Sequence, residues 1–269
     1  MRPPAIVAVA ISLAMLSACA GVGEFDPFRT PGSIELAARG SRVLQVAANM
    51  EEQGDTVAAL ALYQRATATP EDALIAHVRI GEIHIRSGNY RRAIDAFKAA
   101  LALDPECAEA LLGLGSALVR TNDVAGGLAK LRRSTPVVGS AIAYNRLGLA
   151  ETLAGNTLEA VAALERAVAL APDDLDIRTN LALAAALDGQ SDTAVRAAQE
   201  AARSPMAKAR HRRNLIIVLG LCRRGAEANG IDGSDIPALE IRALLARADA
   251  ILAIKDVKAR ARALGSILG

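Results

Sequence analysis

Few residues in this chain are of a type and spacing that could carry chemistry. The three cysteines, Cys19, Cys107 and Cys222, stand 88 and 115 residues apart, a spacing that fits neither a paired metal-ligand motif nor a disulfide framework. Cys107 and Cys222 fall in apolar helical surroundings and read as small buried hydrophobes. His77 and His84 are seven residues apart and share one helix face. No cysteine or carboxylate cluster stands beside them to complete a metal site, so they read as core or groove histidines. A Gly-rich phosphate loop, a nucleophile elbow and an HExxH pair are all missing from the sequence. Catalysis therefore has nothing to rest on: the chain reads as a non-enzyme with no cofactor, no metal and no small-molecule substrate.

Cys19 has a different setting. Met1-Arg2 supplies a positive charge, Ala5 to Leu16 is apolar except for Ser12, and small residues follow in Leu16-Ser17-Ala18-Cys19. That is the layout of a signal peptide, and its apolar run is shorter than the roughly 20 residues needed to cross a bilayer. Leu-Ser-Ala-Cys resembles a bacterial lipobox, which implies cleavage before Cys19, lipid attachment at that residue and, with Ala20 rather than Asp next to it, an outer-membrane address facing the periplasm. More than one lipid chain is needed for stable anchoring. The expected layout is a signal peptide over 1–18 and a tether over 19–38, rich in Gly, Pro and charge and containing Phe25 and Phe28.

The elements that follow are repeats. Hydrophobic residues make up 52% of the chain and aromatics only 2%, and about a fifth of the residues are Ala. Such aliphatic, small-residue composition favours close helix packing over a β-sandwich. Aligning Leu74–Cys107 with Ala141–Asp174 brings Gly81 onto Gly148, Gly88 onto Gly155, Ala93 onto Ala160, Ala100 onto Ala167 and Pro105 onto Pro172. The frame gives five tandem units over 39–208: 40–73, 74–107, 108–140, 141–174 and 175–208. Each predicts a first helix over positions 1–14, a left-handed Gly or Asn at position 15 (Gly54, Gly88, Asn122, Gly155, Gly189), and a second helix ending near a Pro. Small residues at positions 8 and 20 mark where the two helices cross, so Gly148→Leu should overpack. In the third unit Pro136 comes early, which predicts a short second helix.

The 34-residue period, with Gly at 8, Ala at 20, Phe or Leu at 24 (Phe97, Leu131, Leu164), Ala at 27 and Pro at 32, resembles the tetratricopeptide repeat. Position 4, usually Trp in that family, holds Val43, His77, Leu111, Tyr144 and Arg178 here, and Ser134 replaces the Ala of position 27. The resemblance implies an all-α, right-handed superhelical solenoid. Family geometry places positions 2, 5, 9 and 12 on its concave wall: Ile75, Val78, Glu82 and Ile85; Glu109, Leu112, Ser116 and Val119; Ile142, Asn145, Leu149 and Thr152. Two readings stay open. These side chains either receive an amphipathic or extended apolar peptide or pack against neighbouring helices. The expected partner contacts are Val78, Glu82, Ile85, Leu112, Val119, Ile142, Asn145 and Leu149, with a protein or peptide as the partner.

From Arg203 onward 13 Lys or Arg stand against six Asp or Glu, which leaves the rest of the chain at −5 within a total of +2. Lys208 to Arg213, with Arg223 and Arg224, forms a basic cluster, read either as a solvated face or as a site for an acidic segment or anionic lipid. No aromatic residue accompanies it for base stacking, and nucleic acid is not an expected partner. Over 209–269 the period degrades into an incomplete repeat, with Ala238–Leu252 and Val257–Leu268 as capping helices.

A lipobox followed by five such repeats and Asn214-Leu215-x-x-Val218-Leu219-Gly220-Leu221 resembles the TadD family of the tight-adherence (Flp) pilus system. That resemblance implies a lipoprotein that helps a secretin reach the outer membrane and assemble, as pilotins do in type IV pilus and type II secretion systems. The alternative is a general periplasmic adaptor that scaffolds cell-envelope or peptidoglycan enzymes.

Overall fold

The computed structural model describes residues 41–231 and 236–268. Signal peptide, tether, Cys19, Phe25 and Phe28 lie outside the described residues. Thirteen α-helices and one 3-10 turn make up the described residues, which contain no strand. The helices are α1 (Arg42–Glu52), α2 (Thr56–Ala66), α3 (Pro70–Arg86), α4 (Tyr90–Leu103), α5 (Ala108–Arg120), α6 (Val124–Val138) and α7 (Ala141–Ala154). They continue with α8 (Thr157–Leu170), α9 (Leu175–Asp188), α10 (Ser191–Arg203), α11 (Ala209–Leu221), α12 (Ala238–Ala253) and α13 (Val257–Leu268). Helices α1 to α10 pair as five antiparallel hairpins, each packed on the next. This is an all-α tetratricopeptide-type solenoid.

Sharp punctuation between the helices sets the hairpin geometry. Gly54, Gly88, Asn122, Gly155 and Gly189 all have positive φ, between 70° and 84°. At each turn the following residue donates its backbone N–H to the carbonyl five positions earlier: Asp55 to Met50, Asn89 to His84, Asp123 to Leu118, Asn156 to Glu151 and Gln190 to Ala185, all at 2.8–2.9 Å. This bond satisfies a carbonyl that the end of the helix would otherwise orphan. The same device appears a sixth time, where Arg223 takes φ 58° and Arg224 donates to the Leu219 carbonyl at 2.7 Å. Helix α11 is thus the first helix of a sixth pair. Its partner α12 comes only after residues 222–237, and a Cβ on Gly220 would lie 2.5 Å from that of Ala248, which brings the two backbones close.

Small residues govern the crossings. A Cβ added to Gly148 would sit 2.5 Å from Leu164 Cγ, and one on Gly127 would sit 2.6 Å from the Gly115 carbonyl oxygen. Phe97 is held from two sides, because a Cβ on Gly81 would be 2.6 Å from its ring and one on Gly113 only 2.1 Å. Tyr63, Phe97, Leu131 and Leu164, at position 24 of the first four units, are all fully buried.

The third unit departs from expectation. Pro136 does not shorten α6, which runs to Val138 and ends at Gly139 with φ 64°. The proline sits in the last turn, so the helix forgoes the bond that residue 136 would donate to the Arg132 carbonyl but has only two further residues to carry. Ser134 and Thr135 are fully buried, and the Thr135 hydroxyl donates to the Ala143 carbonyl of α7 at 3.4 Å. Tertiary contact therefore carries the helix past its breaker.

Candidate functional site

The wall built by the first helices of the units divides into a closed part and an open part. In the second unit it is closed. Val78 is fully buried and Ile85 is 4% exposed, and both pack with Phe97, Ala110, Leu114 and Ala117. Leu112, 1% exposed, packs with Leu128, Leu131, Ala143 and Ala150. These three expected partner contacts are core residues. Val78 and Ile85, positions 5 and 12 of α3, meet α5, and Leu112 meets α7, so these side chains lie in the seams between units rather than on the wall.

Glu82 also belongs to the interior. Arg79, almost fully buried, donates from Nη1 to Glu82 Oε2 at 2.7 Å and from Nη2 to Glu51 Oε2 at 2.8 Å. Arg86 also pairs with Glu51, and the Tyr63 hydroxyl donates to Glu51 Oε2 at 3.1 Å. Burial alone would raise the Glu51 pKa, but Arg79 and Arg86 outweigh it and hold the carboxylate below its ordinary range. Burial raises the Glu82 carboxyl more than Arg79 lowers it. Tyr63 is pushed up to about 12, first by burial. Arginine is rarely buried unless paired, and nothing in the repeat pattern announced that Arg79 would be.

From the third unit to the fifth the wall opens. A cavity of about 370 Å³ is bounded by Val119 of α5, by Ile142, Asn145, Leu149 and Leu153 of α7, by Leu183 of α9, and by Ala261 and Leu264 of α13. Four of the expected contacts, Val119, Ile142, Asn145 and Leu149, meet there. The floor is mainly aliphatic because its hydroxyls are engaged locally: Ser116 donates to the Leu112 carbonyl at 2.7 Å and Thr152 to the Gly148 carbonyl at 2.8 Å. Asn180 donates to Asn145 Oδ1 at 2.9 Å, an amide pair of the kind that can meet a peptide backbone. Leu153, Asn180 and Leu183 were not anticipated, although Leu183 is position 9 of the fifth unit and was within reach of the wall pattern. Ala261 and Leu264 carried no signal, since no period links α13 to α7.

The other chemical candidates are quiet. Burial pushes the Cys107 thiol up to about 11 and raises that of Cys222, which disfavours the reactive thiolate in both. Burial lowers the pKa values of His77 and His84, in the latter with help from Arg92. Among the described residues no group of three His, Cys, Asp or Glu could hold a metal ion, and no helix is long and apolar enough to cross a membrane. Much of the basic cluster is paired internally. Asp176 accepts from Arg210 at 2.7 Å and from His211 Nε2 at 3.0 Å, Arg213 pairs with Glu240 at 2.6 Å, and Arg224 pairs with Glu227 at 2.6 Å. Burial would raise Asp176, but His211 and Arg210 prevail and lower it.

Sequence comparison agrees with the helical architecture. The tetratricopeptide repeat family model matches residues 78–136 and 145–209. These residues are tetratricopeptide repeats. The chain is 30% identical over 204 residues to a TPR repeat-containing protein of Treponema pallidum, covering 75% of this chain and 24% of that relative. The chain thus spans about a quarter of that relative's length. Among solved structures it is similar to PilW, a type IV pilus biogenesis factor, with a TM-score of 0.63 and 20% identity over 81% of this chain and all of the other. It is also similar to Pseudomonas aeruginosa pilF, with a TM-score of 0.60 and 16% identity over 80% of this chain and 99% of the other. At these identities the likeness shows the fold alone.

Proposed function

We propose that this TPR protein is a non-enzymatic, periplasm-facing lipoprotein scaffold of Flp/Tad pilus biogenesis, which binds a secretin segment and aids its localisation or multimerisation at the outer membrane. The observation that carries the binding role is the open aliphatic wall at Val119, Ile142, Leu149 and Leu183 beside the Asn145–Asn180 amide pair. Such a surface suits an apolar peptide segment. The lipobox at Leu16–Cys19, the Asn214–Leu221 helix and the likeness of the fold to a type IV pilus biogenesis factor support the pilus assignment. In this reading Cys19 carries the lipid, residues 19–38 form the tether, and confinement at the membrane raises the local concentration of captured secretin subunits.

The test is a chromosomal deletion followed by detection of heat-stable secretin multimers in outer-membrane fractions. Loss of multimers, restored by the wild-type gene but not by a Cys19→Ser variant that leaves the membrane, is the expected result. Normal multimers in the deletion strain would refute the pilotin-like role and turn the reading toward a general cell-envelope adaptor.

A further inference from the structure

Among the described residues nothing covers the outer side of helix α12. Ile241, Leu245, Ala248 and Ile251 turn inward to the core shared with α11. On the opposite face Leu239, which is 74% exposed, lines up with Ala243, Ala246 and Ala250, all exposed, at alternating spacings of four and three. Such spacing sets the four side chains on one line along the helix and is the pattern by which two helices pack against each other. The terminal cap of a repeat array ordinarily presents a polar outer face, which keeps the array soluble. A helix that is apolar on two opposite faces is instead suited to being covered on both.

Charge indicates what covers the outer face. At about 100° per residue, Arg242 and Asp249 flank the line on one side, and Glu240 and Arg247 flank it on the other. Arg242, Arg247 and Asp249 are exposed and have no partner among the described residues, while Glu240 accepts from Arg213 at 2.6 Å through Oε1. We propose that α12 is the interface of a homodimer, packing antiparallel against α12 of a second copy about a two-fold axis. In the register that sets Ala243 opposite the partner's Ala246 and Leu239 opposite the partner's Ala250, the axis turns each flank toward the same flank of the other copy. Arg242 then meets the partner's Asp249 and Glu240 meets the partner's Arg247, each about 3 Å off level at 1.5 Å of rise per residue. Every contact occurs twice, so four ion pairs close the seam. A parallel pair would set Arg242 against the partner's Arg247, like charge against like. With alanine at three of the four central places the helix axes can approach to about 8 Å. At 16 residues, α12 spans about 24 Å and offers less contact than a permanent dimer has, so the pair forms reversibly. This face is separate from the peptide-binding wall, and the proposal does not rest on a secretin as the partner there.

The experiment coexpresses two differently tagged copies of the full chain and oxidises intact cells with copper phenanthroline. Each copy carries one new cysteine and keeps Cys107 and Cys222, so the wild-type pair sets the background. Ala243→Cys in one copy and Ala246→Cys in the other should join as a disulfide at least fivefold above that background, because facing Cβ atoms of two closely packed helices come within disulfide reach. Leu239→Cys with Ala250→Cys should do the same. Leu239→Cys in both copies should stay at background, since antiparallel pairing holds those residues about 16 Å apart along the axis. Adding Arg242→Asp to both copies, or Asp249→Arg to both, should lower the first yield at least threefold. Arg242→Asp in one copy with Asp249→Arg in the other should restore it, because that mixture returns opposite charges to both contacts. Circular dichroism of each purified variant should match the wild type, which separates lost pairing from lost folding. A yield unchanged by the reversals, no restoration in the mixture, or cross-linking of Leu239→Cys to itself would overturn the proposal. Absence of cross-linking would overturn it as well: shielding of Ala246→Cys from a polar maleimide would then assign the face to another protein, and free labelling would leave it a solvated surface. The secretin assay reads the wall and the anchor rather than this face, so the two readings fail separately.

Discussion

The second and fourth units carry first helices in the same register yet use their walls in opposite ways. In the second unit positions 5 and 12, Val78 and Ile85, vanish into the seam with the third unit, and position 9, Glu82, is tied to a nearly water-free arginine. In the fourth unit positions 2, 5, 9 and 12, Ile142, Asn145, Leu149 and Thr152, all face the open space. Repeat register alone thus does not decide whether a wall residue binds or packs. The neighbouring unit decides, by how closely its first helix approaches.

Substitutions at matched positions should expose this difference. The largest effect is expected at the closed end, where Arg79→Ala leaves Glu51 and Glu82 as buried carboxylates without their shared cation. Breaking such a buried pair typically costs about 3–5 kcal/mol, to be read by urea denaturation. Next comes Val78→Asp, which should abolish folding cooperativity. Its counterpart at the open end, Leu149→Asp, should change stability by less than about 1 kcal/mol and affect only peptide binding, because Leu149 is 38% exposed. A similar loss in both variants would dissolve the distinction between the two ends. Gly148→Leu should cost about 3 kcal/mol by forcing α7 away from Leu164. An unchanged melting temperature would contradict the close crossing there.

The smallest expected effect is one of pH. Burial lowers the pKa values of His77 and His84 below their unfolded values, so the unfolded chain takes up protons first as pH falls through about 6.5. The two histidines therefore contribute stability above that pH that is lost on acidification. A Tm series from pH 7.5 to 5.5 should slope downward, and His84→Gln should flatten it.

What could be read without coordinates was local. Left-handed turns at position 15 and close crossings at Gly81 and Gly148 follow from residues that have few other roles, since a glycine in a fixed place admits few explanations. The wall was only half legible: Val119, Ile142, Asn145 and Leu149 face the cavity, whereas Val78, Ile85 and Leu112 do not. A helix turns about 100° per residue, so a small rotation of one helix relative to the next moves a side chain from surface to seam. Pro136 misled because a local rule met buried contacts at Ser134 and Thr135. The position of α13 was out of reach, because its contacts with α7 span more than a hundred residues and repeat nowhere.

Phe97 sits between Gly81 of its own unit and Gly113 of the next. A solenoid looks like an object that can be lengthened or trimmed one link at a time, and at most joints the period makes that plausible. Excising the third unit in frame would keep every turn and every pitch, but the residue then delivered to the face of the Phe97 ring would be Arg146, which holds position 6 in the fourth unit as Gly113 does in the third. At this joint the array is indivisible, and its two halves must be inherited together.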